Sequence, residues 1–336
     1  MANDPRMYTL NAMADKAIAK KAAAKKRTSS KKAKREPAVL HLRYEVTNSA
    51  TPGTETSHFI DLAKDLSAVN RRLYRQGRDY HVKKISIVSS NTPNLGNRVS
   101  ASVIPGGWVS RQAWKRGFNV WRQMDKNASE NLSGNILGTW SDFKVYMTND
   151  MRGGTKLAPI DNGGTVYLQD EWRYTDYVSP DGTTSADSFE IYMMGNHNQD
   201  GATGLYHAVS LIKSYGESRA TVSPGDPNVP STASDDPLVN IFDDGTQVDE
   251  VINLMESSND FPPYSIAEYP GGQLSGPKPI VVQDTSIVDG RATLGGFHAL
   301  CGLIELETKS TLESDTFSVL VELAPGSYRG VAAEVI

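Results

Sequence analysis

The chain has 336 residues, 38% apolar and 22% charged, the composition of a globular protein with enough length for a substantial core. Its net charge of -4 hides a segregation: residues 1–36 hold 11 Lys/Arg against Asp4, Asp15 and Glu36, so 11 minus 3 gives +8, while the rest holds 24 basic and 36 acidic residues, giving -12. A single cysteine, Cys301, excludes an intrachain disulfide, and no apolar run reaches the ~18–20 residues of a bilayer-crossing helix.

The first segment is the basic one. "KAIAKKAAAKKRTSSKKAKREP" (16–37) carries Lys16, Lys20, Lys21, Lys25, Lys26, Arg27, Lys31, Lys32, Lys34 and Arg35, with no acidic residue before Glu36. Like charges repel and there is almost nothing apolar to bury, so residues 1–37 are expected to be a disordered arm, able to form a transient helix over 13–26 once neutralised. Ten cations with almost no aromatic or base-reading side chain predict binding to phosphates that is blind to sequence. "KKRTSSKKAKR" also has the form of a bipartite nuclear-import signal. A secretory signal is not expected, for want of an apolar core, and an organelle transit peptide is disfavoured by the Lys bias and by Asp4 and Asp15.

After Pro37 the pattern is mostly that of strands. "AVLHLRYEV" (38–46) alternates, with Leu40, Leu42, Tyr44 and Val46 on one face. "SHFIDL" (57–62), "YHVKKISIVSS" (80–90) and "RVSASVIP" (98–105) are further strands. "LAKDLSAVNRRLYRQG" (62–77) predicts a helix, with Leu62, Leu66, Val69 and Leu73 as its stripe and Gly77 as its stop. "WVSRQAWKRGFNVWRQM" (108–124) predicts another, spacing Trp114, Phe118 and Trp121 by four and three. Strands are predicted at 139–147, 165–178 and 188–194, and helices at 205–216 and 246–258. "ESRATVSPGDPNVPSTASDDP" (217–237) has surface-loop composition, so an exposed insertion is expected over about 217–246. The last third returns to strand at 279–288, 296–307 and 316–326. The expectation is one continuous domain over 38–336 with eight or nine strands and helices in the connections.

Motifs of catalysis are missing. There is no Walker-type loop, dinucleotide fingerprint or nucleophile elbow. Cys301 sits among Leu300, Leu303 and Ile304 and reads as a buried inert thiol. No pair of the six histidines has the i,i+4 spacing of a helical zinc site. "FDDGTQVDE" clusters carboxylates but lacks the calcium-loop pattern, and reads more simply as a helix start. The cations of 108–124 and the aromatics of "WRYTDY" (172–177) read as solvated and core faces rather than as a nucleic-acid platform. No enzymatic activity, metal or cofactor is therefore expected.

A cationic arm on an acidic, strand-rich body is the layout of a small icosahedral capsid subunit. "GFHALCGLIELE" followed by "SVLVELAPGSYRGVAAE", and "IDLAKDLSAVNRRLYRQGRDYHVKKISI" nearer the start, resemble capsid proteins of small circular Rep-encoding single-stranded DNA (CRESS-DNA) viruses. That resemblance implies an all-β fold, a single eight-stranded antiparallel jelly roll. It also implies self-assembly into an icosahedral shell, a single-stranded DNA genome held by the arm, a host receptor, and location in the virion and, during assembly, the host nucleus. The rival readings are a cellular, sequence-nonspecific nucleic-acid-binding protein with a histone-like tail, and an extracellular lectin-like β-sandwich. The lectin leaves the tail without a purpose.

Overall fold

The computed structural model of the protein describes residues 36–89, 96–131, 140–169, 171–179, 187–199, 206–220 and 279–336. The chain divides into two compact units, Met1–Pro37 and Ala38–Ile336, and the secondary structure described lies in the second.

Strand β1 (His41–Thr47) buries Leu42, Tyr44 and Val46 and turns His41, Arg43 and Glu45 outward, as its alternation predicts. Strand β2 (Glu55–Asp61) runs directly into helix α1 (Leu62–Asn70), because the Asp61 carboxylate accepts the N–H groups of Ala63 and Lys64 and so caps the first turn. The helix stops at Arg71 in the left-handed region (φ 54°), well before Gly77. The Asn70 side chain is drawn off to the Val39 backbone, accepting from its N–H at 2.7 Å and donating to its carbonyl at 3.2 Å. Leu73, expected on the buried stripe, is 45% exposed. Strands β3 (Arg78–Ser89) and β4 (Arg98–Val103) follow.

Residues 104–279 interrupt the sandwich. Helix α2 (Trp108–Asn131) outruns its predicted end at 124, and a short α3 (Asn149–Gly153) precedes β5 (Asp176–Ser179), β6 (Asp187–Tyr192), β7 (Asn198–Gln199), β8 (Tyr206–Ser210) and α4 (Leu211–Ala220). Three sequence readings are corrected here. Residues 140–147 form no strand: Val145 spends its N–H and C=O on the Gln76 side chain (2.6 and 3.0 Å), and Tyr146 only bridges to Tyr192. Of 165–178, only the end enters a strand, because the Trp172 and Tyr174 side chains are tied down onto Asp61. Residues 206–210 are strand rather than helix, since pairing parallel to β6 satisfies their backbone, and the helix begins at Leu211 and runs into the expected loop as far as Ala220. The rest of the predicted 217–246 insertion and the 246–258 helix lie outside the described residues.

The chain returns as β9 (Ile280–Ser286), β10 (Arg291–Leu294), β11 (Phe297–Leu300), β12 (Leu303–Lys309), β13 (Thr316–Leu323), β14 (Pro325–Tyr328) and β15 (Ala333–Val335). Residues 296–307, expected as one strand, bend at Cys301 (φ 60°) and Gly302 (φ 67°), which carries the chain from one sheet to the other. A Cβ on Gly302 would sit 2.9 Å from the Tyr80 ring.

Two antiparallel sheets result. Sheet A has the order β1-β13-β3-β10, with β11 and β15 also on β3; sheet B has the order β2-β12-β4-β9. They share one core, in which Leu42, Tyr44, Ile85, Ile87, Val319 and Val321 of sheet A meet Ile60, Val99, Ala101, Ile304 and Leu306 of sheet B. A third sheet, β5-β6-β8-β7, packs with α2 and α4 around a second core that also takes in Phe59, Leu300 and Leu303. Residues 104–279 leave from Val103 and return at Ile280, which are register partners in β4 and β9, and the β4–β9 register shifts between Ala101 and Ser102 just before the excursion.

Candidate functional site

The ten arm cations, Lys16 to Arg35, lie outside the described residues. The surface continuous with the arm in sequence is the outer face of sheet A, beginning at β1. Register lays this face out in rows. His41, Glu322 and Lys84 form one; Arg43, Leu320, Ser86 and Thr293 the next; Glu45, Ser318, Val88 and Arg291 the third. Between Glu322 and Leu323 the register slips, leaving Lys83 as an extra residue on β3. This bulge is why two consecutive residues, Lys83 and Lys84, reach the same carboxylate, at 3.0 and 3.4 Å from Glu322. Strict alternation would have put one of them in the core. The neighbouring strand breaks at the same level into β10 and β11, and a Cβ on Gly296 there would lie 2.8 Å from the Lys83 carbonyl oxygen.

The two outer faces of the sandwich differ in charge. Sheet A presents Arg43, Lys83, Lys84 and Arg291 against Glu45, Glu322, Asp79 and Glu334, four minus four. Sheet B presents Arg98 and Lys309 against Glu55, Asp284, Glu305 and Glu307, two minus four. On sheet A, the Lys83 hydrogen bond and then the Lys84 charge hold the Glu322 carboxyl below its usual range, and His41 stands 3.3 Å from it. On sheet B, burial pushes Glu305 up to about 7, with Glu307 and Asp150 adding to the shift and a Ser57 hydrogen bond opposing it. Arg98 is clamped by Asp284 at 2.6 Å.

Past the bulge, the His81 and His298 rings pack with centroids 3.7 Å apart. Asp79 sits beside them, 3.8 Å from His298, and takes a 2.5 Å ion pair from Arg111 of α2. Residues 81 and 298 are partners only through strand pairing, so linear spacing could not bring them together. Among the described residues, no three metal-ligating side chains converge. Helix α2 turns Trp114, Phe118 and Trp121 to the second core and leaves Lys115, Arg116 and Arg122 exposed. Burial pushes the Cys301 thiol well up, which keeps it protonated and unreactive. The 243–250 carboxylates lie outside the described residues.

Beneath the sandwich edge is a polar node that sequence reasoning missed. Besides capping α1, Asp61 accepts from Gln76 Nε2 (3.0 Å), Trp172 Nε1 (3.2 Å) and Tyr174 OH (3.2 Å). Next to it, Asp65 accepts from Tyr44 OH (2.6 Å) and Gln169 Nε2 (2.8 Å), and burial raises its carboxyl to about 7 against the opposing Lys64 charge. Burial likewise raises Asp61, with Lys64 again opposing. These bonds fasten Gln169, Trp172 and Tyr174 to the sandwich. The i,i+4 pair of acids around the start of a helix was the one legible signal. No protein-family model, curated protein or solved structure matches the chain.

Proposed function

We propose that the protein is a structural capsid subunit whose basic arm packages single-stranded DNA and whose Ala38–Ile336 unit is a jelly-roll shell domain. The observation that carries this is the strand order. Counting β10 and β11 as one strand divided opposite the bulge, and setting aside residues 104–279 and the short C-terminal β14 and β15, the two sheets read first-eighth-third-sixth and second-seventh-fourth-fifth. That order is the one produced by rolling two Greek keys into a sandwich. The fold alone would suit many functions; the arm selects among them.

Charge supports the same reading. The arm leads in sequence into β1 of sheet A, whose outer-face charges balance, while the opposite outer face is net anionic and would repel a genome. Sheet A then faces the genome. Each arm neutralises about ten phosphates, so about 60 copies supply roughly 600 charges and about 180 copies roughly 1,800. A genome of a few thousand nucleotides favours the larger shell. The single-stranded DNA assignment and the CRESS-DNA-like origin rest on the resemblance of the terminal strands.

The test is assembly of the recombinant full chain, read by size-exclusion chromatography and electron microscopy, with the 260/280 nm absorbance ratio reporting nucleic acid. Particles carrying nucleic acid are expected. Replacing the ten cations by Gln should empty them, while scrambling their order should change little. A chain that binds nucleic acid but never forms particles would instead favour the cellular binding protein. Particles of the Gln variant with full nucleic-acid content would move the packaging role off the arm.

A further inference from the structure

Between α1 and the segments around 140–144 and 168–172 lies a half-open cavity of 510 Å³. Its volume is in the range of small-ligand sites. Two indoles, Trp140 and Trp172, wall it, tilted by 36° with centroids 6.2 Å apart, and Leu73 and the 85%-exposed Leu168 form its lip.

The polar groups around it are unevenly satisfied. Trp172 Nε1 donates to Asp61, Gln169 Nε2 to Asp65, and Ser67 Oγ both donates to the Ala63 carbonyl and accepts from Tyr74 N–H. Among the described residues, Lys64 Nζ has a 3.4 Å contact to the Leu157 carbonyl and a 4.0 Å approach to Asp65. Lys144 is the exception. It is 8% exposed, yet among the described residues its ammonium has no hydrogen-bond acceptor; it lies over the Trp140 and Trp172 rings at 5.0 and 4.7 Å. Cation–π contact replaces part of the lost hydration, and no protein acceptor among the described residues meets its three N–H donors, which face the open cavity. Trp140 Nε1–H is also buried without a partner among the described residues. The unmet capacity is therefore for an acceptor, and the walls combine flat indoles and leucines with polar side chains, among them the exposed Glu171 carboxylate.

We propose that this cavity binds a nucleotide, its phosphate on Lys144 with Lys64 behind it and its base against the indole and leucine wall. The phosphate demands the buried cation, and the base accounts for aromatic and leucine surface that water hydrates poorly. Burial pulls the Lys144 ammonium below the usual lysine range, with Asp142 and Asp61 opposing. The cavity is lined only by residues of the Ala38–Ile336 unit, none of them on the outer face of sheet A, so its test is independent of the shell reading.

The experiment is a titration of the full chain with deoxyadenosine monophosphate, followed by tryptophan fluorescence and calorimetry. Deoxyadenosine and inorganic phosphate serve as half-ligands. One site per chain is expected, with each half-ligand at least tenfold weaker. Lys144→Met should weaken binding at least tenfold. Leu168→Asp, a lip change that leaves the melting temperature unaltered, should weaken it severalfold by placing a carboxylate at the mouth. The arm is intact in both variants, so its own affinity for phosphate cancels. An end-blocked deoxyadenosine oligomer distinguishes the source: displacement of the mononucleotide means that a nucleotide within a strand enters, and no displacement means that only the free nucleotide does. Equal binding by wild type and both variants, inorganic phosphate as tight as the nucleotide, or no saturable binding overturns the proposal.

Discussion

Replacing Asp61 by Ala tests whether a single carboxylate pins the 172–174 segment to the sandwich. Asp61 is 1% exposed and accepts five hydrogen bonds: two from the first turn of α1 and one each from Gln76, Trp172 and Tyr174. Losing a helix cap costs about 1 kcal/mol, and each buried donor left without a partner costs about 1 kcal/mol or more. Relaxation and the release of a desolvated charge offset part of that sum, so Asp61→Ala should cost about 3–4 kcal/mol. Trp172→Phe and Tyr174→Phe each remove one donor and should cost about 1 kcal/mol. Asp61→Asn keeps an oxygen for the cap but turns an N–H₂ towards three donors, and should fall in between. Urea unfolding followed by far-UV circular dichroism measures all four. The reasoning fails if Asp61→Ala costs no more than Trp172→Phe, because the five donors would then be satisfied elsewhere.

Asp65 has its pKa raised to about 7, so between about pH 4 and 7 the folded chain holds a proton that the unfolded chain has released. Its contribution therefore declines as pH rises through that window, at up to about 1.4 kcal/mol per pH unit, and melting curves of Asp65→Asn should lack this decline relative to wild type. His58 is buried in the sandwich with neither ring nitrogen hydrogen-bonded among the described residues, and burial lowers its pKa. His58→Leu should stabilise the fold by about 1 kcal/mol in a urea titration, and a loss of stability would show that the ring has a partner. Gly296→Ala should lower the melting temperature by several degrees, because its Cβ meets the Lys83 and Val82 carbonyls at 2.8 and 3.1 Å and only backbone movement relieves it. Glu322→Gln frees Lys83 and Lys84 for phosphates, so the salt dependence of nucleic-acid binding should steepen by about one to two counterions. An unchanged slope would take sheet A out of the interface.

Patterns of adjacent residues were enough to place much of the sandwich. Alternation located β1, because it buries one face and a period of two is written locally, and strand-like runs marked β3, β4, β9 and β13. The aromatic spacing of Trp114, Phe118 and Trp121 located α2 and its buried side, and the neighbours of Cys301 marked a buried thiol. The charge of the arm is likewise a property of composition. Contacts between distant residues decided the rest. Helix α1 ends at Arg71 rather than Gly77, with the Asn70 side chain bound to Val39 across the fold. Residues 140–147 have strand-like composition but no strand, because the Gln76 side chain takes the hydrogen bonds a ladder would have used. The bulge that turns Lys83 and Lys84 to one face exists only in the pairing of β3 with β13, and the bend at Cys301–Gly302 only where the chain must change sheets. Sheet order, the His81–His298 pair, the Asp61 node and the packing of Lys144 against Trp172 all join residues apart in sequence. A local pattern records which face of an element is apolar, whereas a site depends on which elements meet, and long-range pairing alone sets that.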